Sequence, residues 1–324
     1  MTPLTYQERV LRIQTGPDYR QRLPVEKCGR MMAYISPLVE GSLRMAIEGA
    51  SVAHGRPPAW FQRASDIRFT SYDKQGDDTL IALEIPTIGE AAEELYRQIG
   101  LWETRPNPED TGFEMLRHVV NEVAAENAES PFYDRQLLNR FAKMRKVFGP
   151  DIQAIHLADS GNPTTVNQKL AETAARLGTI TPPTRQVRVA GVLDMIRHST
   201  RSFSVTIESG EEIGGVMEST ESESTLVGFF GKPVVVLGRA VYRPSGRLLR
   251  IDAMGLEDGT GAPDVFSKVP PPQTVRPQGV SRMKLSETGK RGVSAFFDTW
   301  PGDETDEELE ELVRAVRCGG GSDR

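Results

Sequence analysis

No stretch of the chain approaches the roughly 20 consecutive apolar residues that a membrane-spanning helix needs. Cysteine is scarce. Only Cys28 and Cys318 are present, far apart, so neither a disulfide framework nor a metal-ligand spacing is available. The opening Met1-Thr2-Pro3-Leu4-Thr5 lacks the basic region and apolar stretch of a secretory signal. These absences predict a cytoplasmic protein in a reducing compartment. Histidine is also sparse, at four residues: His54, His118, His156 and His198. None has a second His or a Cys at ligand spacing. The pair Glu114 and His118 is i,i+4, a spacing common on solvated helix faces. The glycines of Ser209-Gly210-Glu211-Glu212-Ile213-Gly214-Gly215 lack the Lys-Ser/Thr ending of a phosphate loop, and a Gly-x-Ser-x-Gly elbow is missing. No convergent catalytic set, metal site or cofactor site emerges, so the expectation is a protein that is not an enzyme.

What is present is 324 residues, 38% hydrophobic and 26% charged, enough for a real core. Proline and glycine punctuate the chain at Thr181-Pro182-Pro183-Thr184, across the proline-rich 269–279, and at Gly319-Gly320-Gly321-Ser322. They predict four parts. Residues 1–181 form an α+β domain of mixed helices and strands. Residues 185–257 form a small barrel, 258–293 a Pro-rich basic linker, and 294–318 a tail helix.

In the first part, apolar spacing predicts one or two helices over 30–50, broken by Pro37. It predicts a hairpin with strands near Ile67–Ser71 and Leu80–Ile85, joined by a longer loop through Asp73–Asp78. Helices are expected over 90–101, 109–127, 134–148 and 163–177, with a strand over 152–157. From Gln186 the pattern changes to β-β-β-α-β-β. Phe203, Val205 and Ile207 alternate with polar neighbours, and the helix falls over 220–230. That order resembles the OB-fold, a five-stranded barrel with a helix between its third and fourth strands, with an SH3-like barrel as the nearest competitor. Such barrels often bind single strands. Arg239, Arg243, Arg247 and Arg250 can cluster around one hairpin as nucleic-acid contacts, although acids and bases balance over the barrel as a whole.

The net charge of −6 is unevenly spread. The 265–293 stretch is basic, with six Lys/Arg against Glu287. Beyond it come Phe296, Phe297 and Trp300, then seven acids between Pro301 and Arg317. Thr305 and Glu308 form a capping box. Leu309, Leu312, Val313 and Val316 make one apolar stripe, and Arg314 and Arg317 suit the helix C-terminus. A helix this short is marginal alone in water, so it calls for a surface, its own or a partner's. The run Phe297-Asp298-Thr299-Trp300-Pro301-Gly302-Asp303-Glu304 resembles the toxin-binding tail of bacterial antitoxins paired with PIN-domain ribonucleases. The resemblance implies a PIN-type nuclease toxin as partner, with Phe296, Phe297, Trp300, Leu309, Leu312 and Val313 as anchors and Arg314 or Arg317 reaching the acidic nuclease site. The resulting expectation is a non-enzymatic, antitoxin-like component of a toxin–antitoxin or defence module. The alternative is a nucleic-acid-binding adaptor that grips a strand with its barrel.

Overall fold

Strand β1 (Tyr6–Thr15) buries Leu11, Ile13 and Thr15 on one face while Arg12 and Gln14 point away. It is a period-2 pattern that sequence reading passes over because Arg9 and Arg12 interrupt it. β1 is the middle strand of an antiparallel five-stranded sheet, in the order β2-β3-β1-β4-β5. The computed structural model describes residues 4–19, 22–53, 55, 57–96, 106–158, 164–197, 200–218 and 228–272. Residues 1–274 make one compact unit. The tail helix expected over 294–318 lies outside the described residues, as does most of the helix expected over 220–230.

The other strands are β2 (Arg68–Gln75), β3 (Asp78–Pro86), β4 (Ile152–Ala158) and β5 (Thr164–Asn167). The β2–β3 connection is only Gly76-Asp77, shorter than the loop expected, with Gly76 at φ 58°. Glycine holds that left-handed conformation without strain. Residues 164–167, expected to open a helix after Pro163, are β5 instead. Asn167 then caps α7 (Gln168–Ile180), its side chain accepting from Leu170 N at 3.0 Å.

Helix α1 (Val25–Glu48) runs unbroken through Pro37 and ends on Gly49 at φ 74°. The break expected at Pro37 does not occur. Buried Met31, Ile35, Leu38 and Val39 hold the helix on both sides of the ring, and Arg140 donates to the Pro37 carbonyl at 2.9 Å. Burying each such side chain is worth about 1.5–3 kcal/mol, comparable to the roughly 3 kcal/mol cost of an interior proline. Of the helix expected over 90–101, the part as far as Tyr96 forms two short turns, α3 (Ile88–Ala91) and α4 (Glu93–Tyr96), after the six-residue α2 (Ala59–Ala64), and 97–101 lie outside the described residues. Helices α5 (Gly112–Ala124) and α6 (Arg135–Lys143) stand close to their expected bounds. Side chains of α1, α5, α6 and α7 join Leu11, Ile13, Ile81, Leu83 and Ile155 in one core on a single face of the sheet.

The barrel is built from β6 (Arg185–Arg197), β7 (Ser202–Thr206), β8 (Glu212–Met217), β9 (Pro233–Tyr242) and β10 (Leu248–Asp258). It closes in the order β6-β7-β8-β10-β9 and back to β6. Only β8–β10 is parallel. This is the OB-like order, and it decides against the SH3-like competitor. Phe203, Val205 and Ile207 point into the barrel, as their alternation predicts, beside Val189, Val236, Tyr242 and Ile251. Gly215 makes room for them, since a Cβ there would lie 2.2 Å from the Phe203 ring. Among the described residues no helix is long and apolar enough to cross a membrane.

Candidate nucleic-acid interface

OB-fold barrels bind oligonucleotides on their second and third strands and on the loops joining strands one to two and four to five. Here the strand four-to-five loop is the β9–β10 hairpin, and the body already occupies it. Ser245 N donates to the Ala128 carbonyl at 3.3 Å, and Arg243 Nη1 donates to the Glu129 carbonyl at 3.0 Å. The Glu129 carboxylate takes Arg243 at 3.5 Å and Arg247 at 3.7 Å. Deeper in, Arg250 Nη2 meets Asp134 at 3.0 Å and Arg250 Nε meets Asp252 at 2.7 Å.

Asp134 is the hub of that contact. As the α6 N-cap it accepts from Leu137 N at 3.0 Å, and it also accepts from Ser51 Oγ at 2.6 Å and Ser51 N at 3.1 Å. Burial alone would push its carboxyl up. Arg250 and the Ser51 and Leu137 donors outweigh burial and hold it below the usual carboxylate range. Arg250 is itself buried, and burial opposes its charge. Asp134 and Asp252 overcome that and raise its pKa.

Of the four arginines expected around this hairpin, Arg243 and Arg247 meet on one carboxylate, while Arg250 and Arg239 have other partners. Arg250 is an internal tie to α6. Arg243 and Arg247 bind Glu129 on the loop between α5 and α6. Arg239, on the outer face of β9, pairs with Glu218. The β7–β8 surface offers little to a phosphate chain. Its outward residues are Ser202, Ser204, Thr206, Glu212, Gly214 and Val216, and Ser204 Oγ donates to Glu212 at 2.6 Å. Neither an aromatic nor a base points outward from those two strands.

A different face combines the needed chemistry. A slot of about 440 Å³ lies on the outside of β6, β9 and β10. Its floor is Gln186, Val187 and Arg188 of β6, Leu237 and Gly238 of β9, and Met254 of β10. Its wall is a strap: a 3-10 turn over Asp264–Phe266, followed by the chain to Pro272. Val265, Phe266 and Pro270 face the slot from that strap. Two hydrogen bonds tether the strap, from Tyr242 Oη to the Pro270 carbonyl at 3.1 Å and from Arg185 Nη1 to the Pro271 carbonyl at 3.2 Å. Val269 packs against the barrel core. The first part of the expected linker, as far as Pro272, thus lies along the barrel. Arg188 and Lys268 are exposed and enter no ion pair among the described residues. An acid, Asp264, shares the turn with Phe266. The volume falls within the roughly 300–1,000 Å³ of small-ligand sites.

Sequence reasoning missed this site. The apolar wall sits in a segment punctuated as linker, and Arg188 is one outward residue of a long strand. A signal was available in Val265 and Phe266, two large apolar residues in a row beside the prolines. The remaining sequence candidates fall elsewhere. Glu114 turns away from His118 to cap α5, accepting from Thr111 N at 2.7 Å and from Arg9 Nε at 3.0 Å. His118 stacks on Phe132 with ring centroids 6.0 Å apart. His156 contacts Thr165 Oγ1 at 2.9 Å. Burial first, then Arg12, lowers its pKa. His54 and His198 lie outside the described residues, as do Phe296, Phe297, Trp300, Leu309, Leu312, Val313, Arg314 and Arg317. Among the described residues no group of three or more His, Cys, Asp or Glu is placed to hold a metal ion.

Comparison of the chain with family models, with curated proteins and with solved structures finds no match.

Proposed function

We propose that this is a non-enzymatic nucleic-acid-binding adaptor whose OB-like barrel holds a single strand across the β6–β9–β10 slot. The observation that carries the reading is the apolar slot with Phe266 in its wall and Arg188 in its floor, on a strap that also carries the exposed Lys268. Single-strand sites pair aromatic or apolar surfaces for bases with cations for the backbone, and this face of the barrel has both. A base enters against Phe266 and Met254, while Arg188 and Lys268 meet flanking phosphates. The tail keeps the role its sequence suggests, recruitment of a protein partner through Phe296, Phe297 and Trp300. A PIN-type nuclease is the partner that the antitoxin resemblance implies.

The test is fluorescence anisotropy of labelled single-stranded DNA and RNA titrated with the full chain at several salt concentrations. Binding should weaken as salt rises, with a log–log slope of about −0.7 for each phosphate neutralised on a single strand. Duplex of the same sequence should bind more weakly, since its stacked bases cannot enter the slot. Absence of salt-dependent binding to any single strand overturns the proposal.

A further inference from the structure

The edge strand β2 is exposed at all eight of its positions. It closes one side of the five-stranded sheet and, among the described residues, pairs only with β3. Exposed edges are templates for another strand, and proteins usually blunt them with charge, proline or short length. β2 carries Arg68, Asp73 and Lys74, and between those charges it presents Phe69 at 61% exposure and Tyr72 at 43%. Two residues three apart in a regular strand point to opposite faces. Here an irregularity in the pairing falls between Phe69 and Ser71, adding one residue to β2. As a result Phe69 stands opposite Leu83 and Tyr72 opposite Ile81, and both of those side chains face the helix-covered core. The two rings therefore share one face. Arg68 and Asp73 stand opposite Glu84 and Leu80, on the other face.

We infer that β2 pairs antiparallel with β2 of a second copy of this chain, in the register that sets Phe69 against Tyr72. A two-fold axis between Thr70 and Ser71 then places Arg68 of each copy opposite Asp73 of the other. Phe69 stands opposite Tyr72, and Thr70 opposite Ser71. Facing residues in such a pair must share a face, and the bulge is what lets residues of odd separation do so. On one face Asp73 approaches an Arg68 that already holds Asp66 at 2.8 Å and lies over the Tyr6 ring, and on the other face aromatic rings meet, the pairings that stabilise cross-strand neighbours. Moving the axis by half a residue, onto Ser71, sets Arg68 against Lys74, a like-charge pair. The axis is perpendicular to the sheet, so the two copies form one ten-stranded sheet with both sets of helices on the same side.

Sedimentation velocity of the full chain over a wide concentration range tests this. The expected result is reversible dimerisation that Phe69→Glu weakens at least tenfold with the circular dichroism spectrum unchanged. A monomer up to high micromolar concentration overturns the inference, and so does a dimer insensitive to Phe69→Glu. Cross-linking provides the second measurement, in a Cys28→Ser, Cys318→Ser background. A mixture of Phe69→Cys chains and Tyr72→Cys chains should oxidise to a covalent pair faster than either variant alone. Equal rates in the mixture and in the separate variants overturn the register.

Discussion

The two sides of the barrel put arginine to opposite uses. On the hairpin side, Arg243, Arg247 and Arg250 are bound to Glu129, Asp134 and Asp252. On the slot side, Arg188 stands exposed in the floor of an apolar cleft, and Lys268 is exposed on the strap that walls it. Counting charge along the chain treats these residues alike. Burial and partners separate them. A guanidinium taken out of water, as that of Arg250 is, keeps its charge only if carboxylates replace the water. The loop that OB-fold barrels usually turn toward a ligand is here turned toward the protein itself.

That contrast yields a graded set of tests. Arg250→Ala should be the most damaging, because it leaves Asp134 buried and unpaired, at a cost of about 3–5 kcal/mol in thermal or denaturant unfolding. Arg250→Lys should recover little, since one ammonium cannot reproduce the forked contact to two carboxylates. Next comes Phe266→Ala. It should cost about 1–3 kcal/mol in single-strand affinity, if a base stacks there, with little change in melting temperature. The pairing of effects is the point. The hairpin variants should move stability, and the slot variants should move binding. A Phe266→Ala chain with full affinity would erase the distinction.

Acid should also tell the two sides apart. The Asp134 and Glu114 carboxyls are held below their ordinary range when folded: burial opposes this, and hydrogen bonds and arginines outweigh it. Their contribution to stability is present above the unfolded-state pKa and fades as pH falls through the depressed folded values. Unfolding free energy measured against pH should therefore fall on the acid side, and Asp134→Asn should flatten that fall while lowering stability at neutral pH. Arg188→Ala should reduce the salt slope of binding by about one phosphate's worth and leave stability within roughly 0.5 kcal/mol. Arg239→Ala should matter least. Its half-buried pair with Glu218 is worth about 1 kcal/mol, so a large loss would mean that Arg239 does more than hold that pair.

Legibility in the sequence followed how much each element decides locally. The barrel was readable because Phe203, Val205 and Ile207 alternate cleanly and turn residues separate the strands. α5 was readable because Phe113, Leu116, Val120 and Val123 keep helical spacing. β1 escaped notice because its partners lie some 70 and 145 residues downstream, and only pairing on both sides buries Leu11 and Ile13. Pro163 imitates a helix start ahead of β5, whereas Asn167 supplies the cap of α7. Arg250 leaves a faint mark, a cation between the apolar Leu249 and Ile251. Its role needed Asp134, 116 residues away. The slot was illegible for the same reason, being assembled from three strands and a strap that are neighbours only after folding.

The Arg250–Asp134 contact also bears on modularity. Thr181-Pro182-Pro183-Thr184 reads like a seam where two pieces were joined and from which either could be moved. A barrel excised there would keep Arg250 with Asp252 but without Asp134, and the body would keep Asp134 under α6 without its cation. Neither half is a portable cassette. A graft of this barrel onto another protein must bring Asp134 and Ser51 with it or replace Arg250, and limited proteolysis within the seam should release no stable fragment.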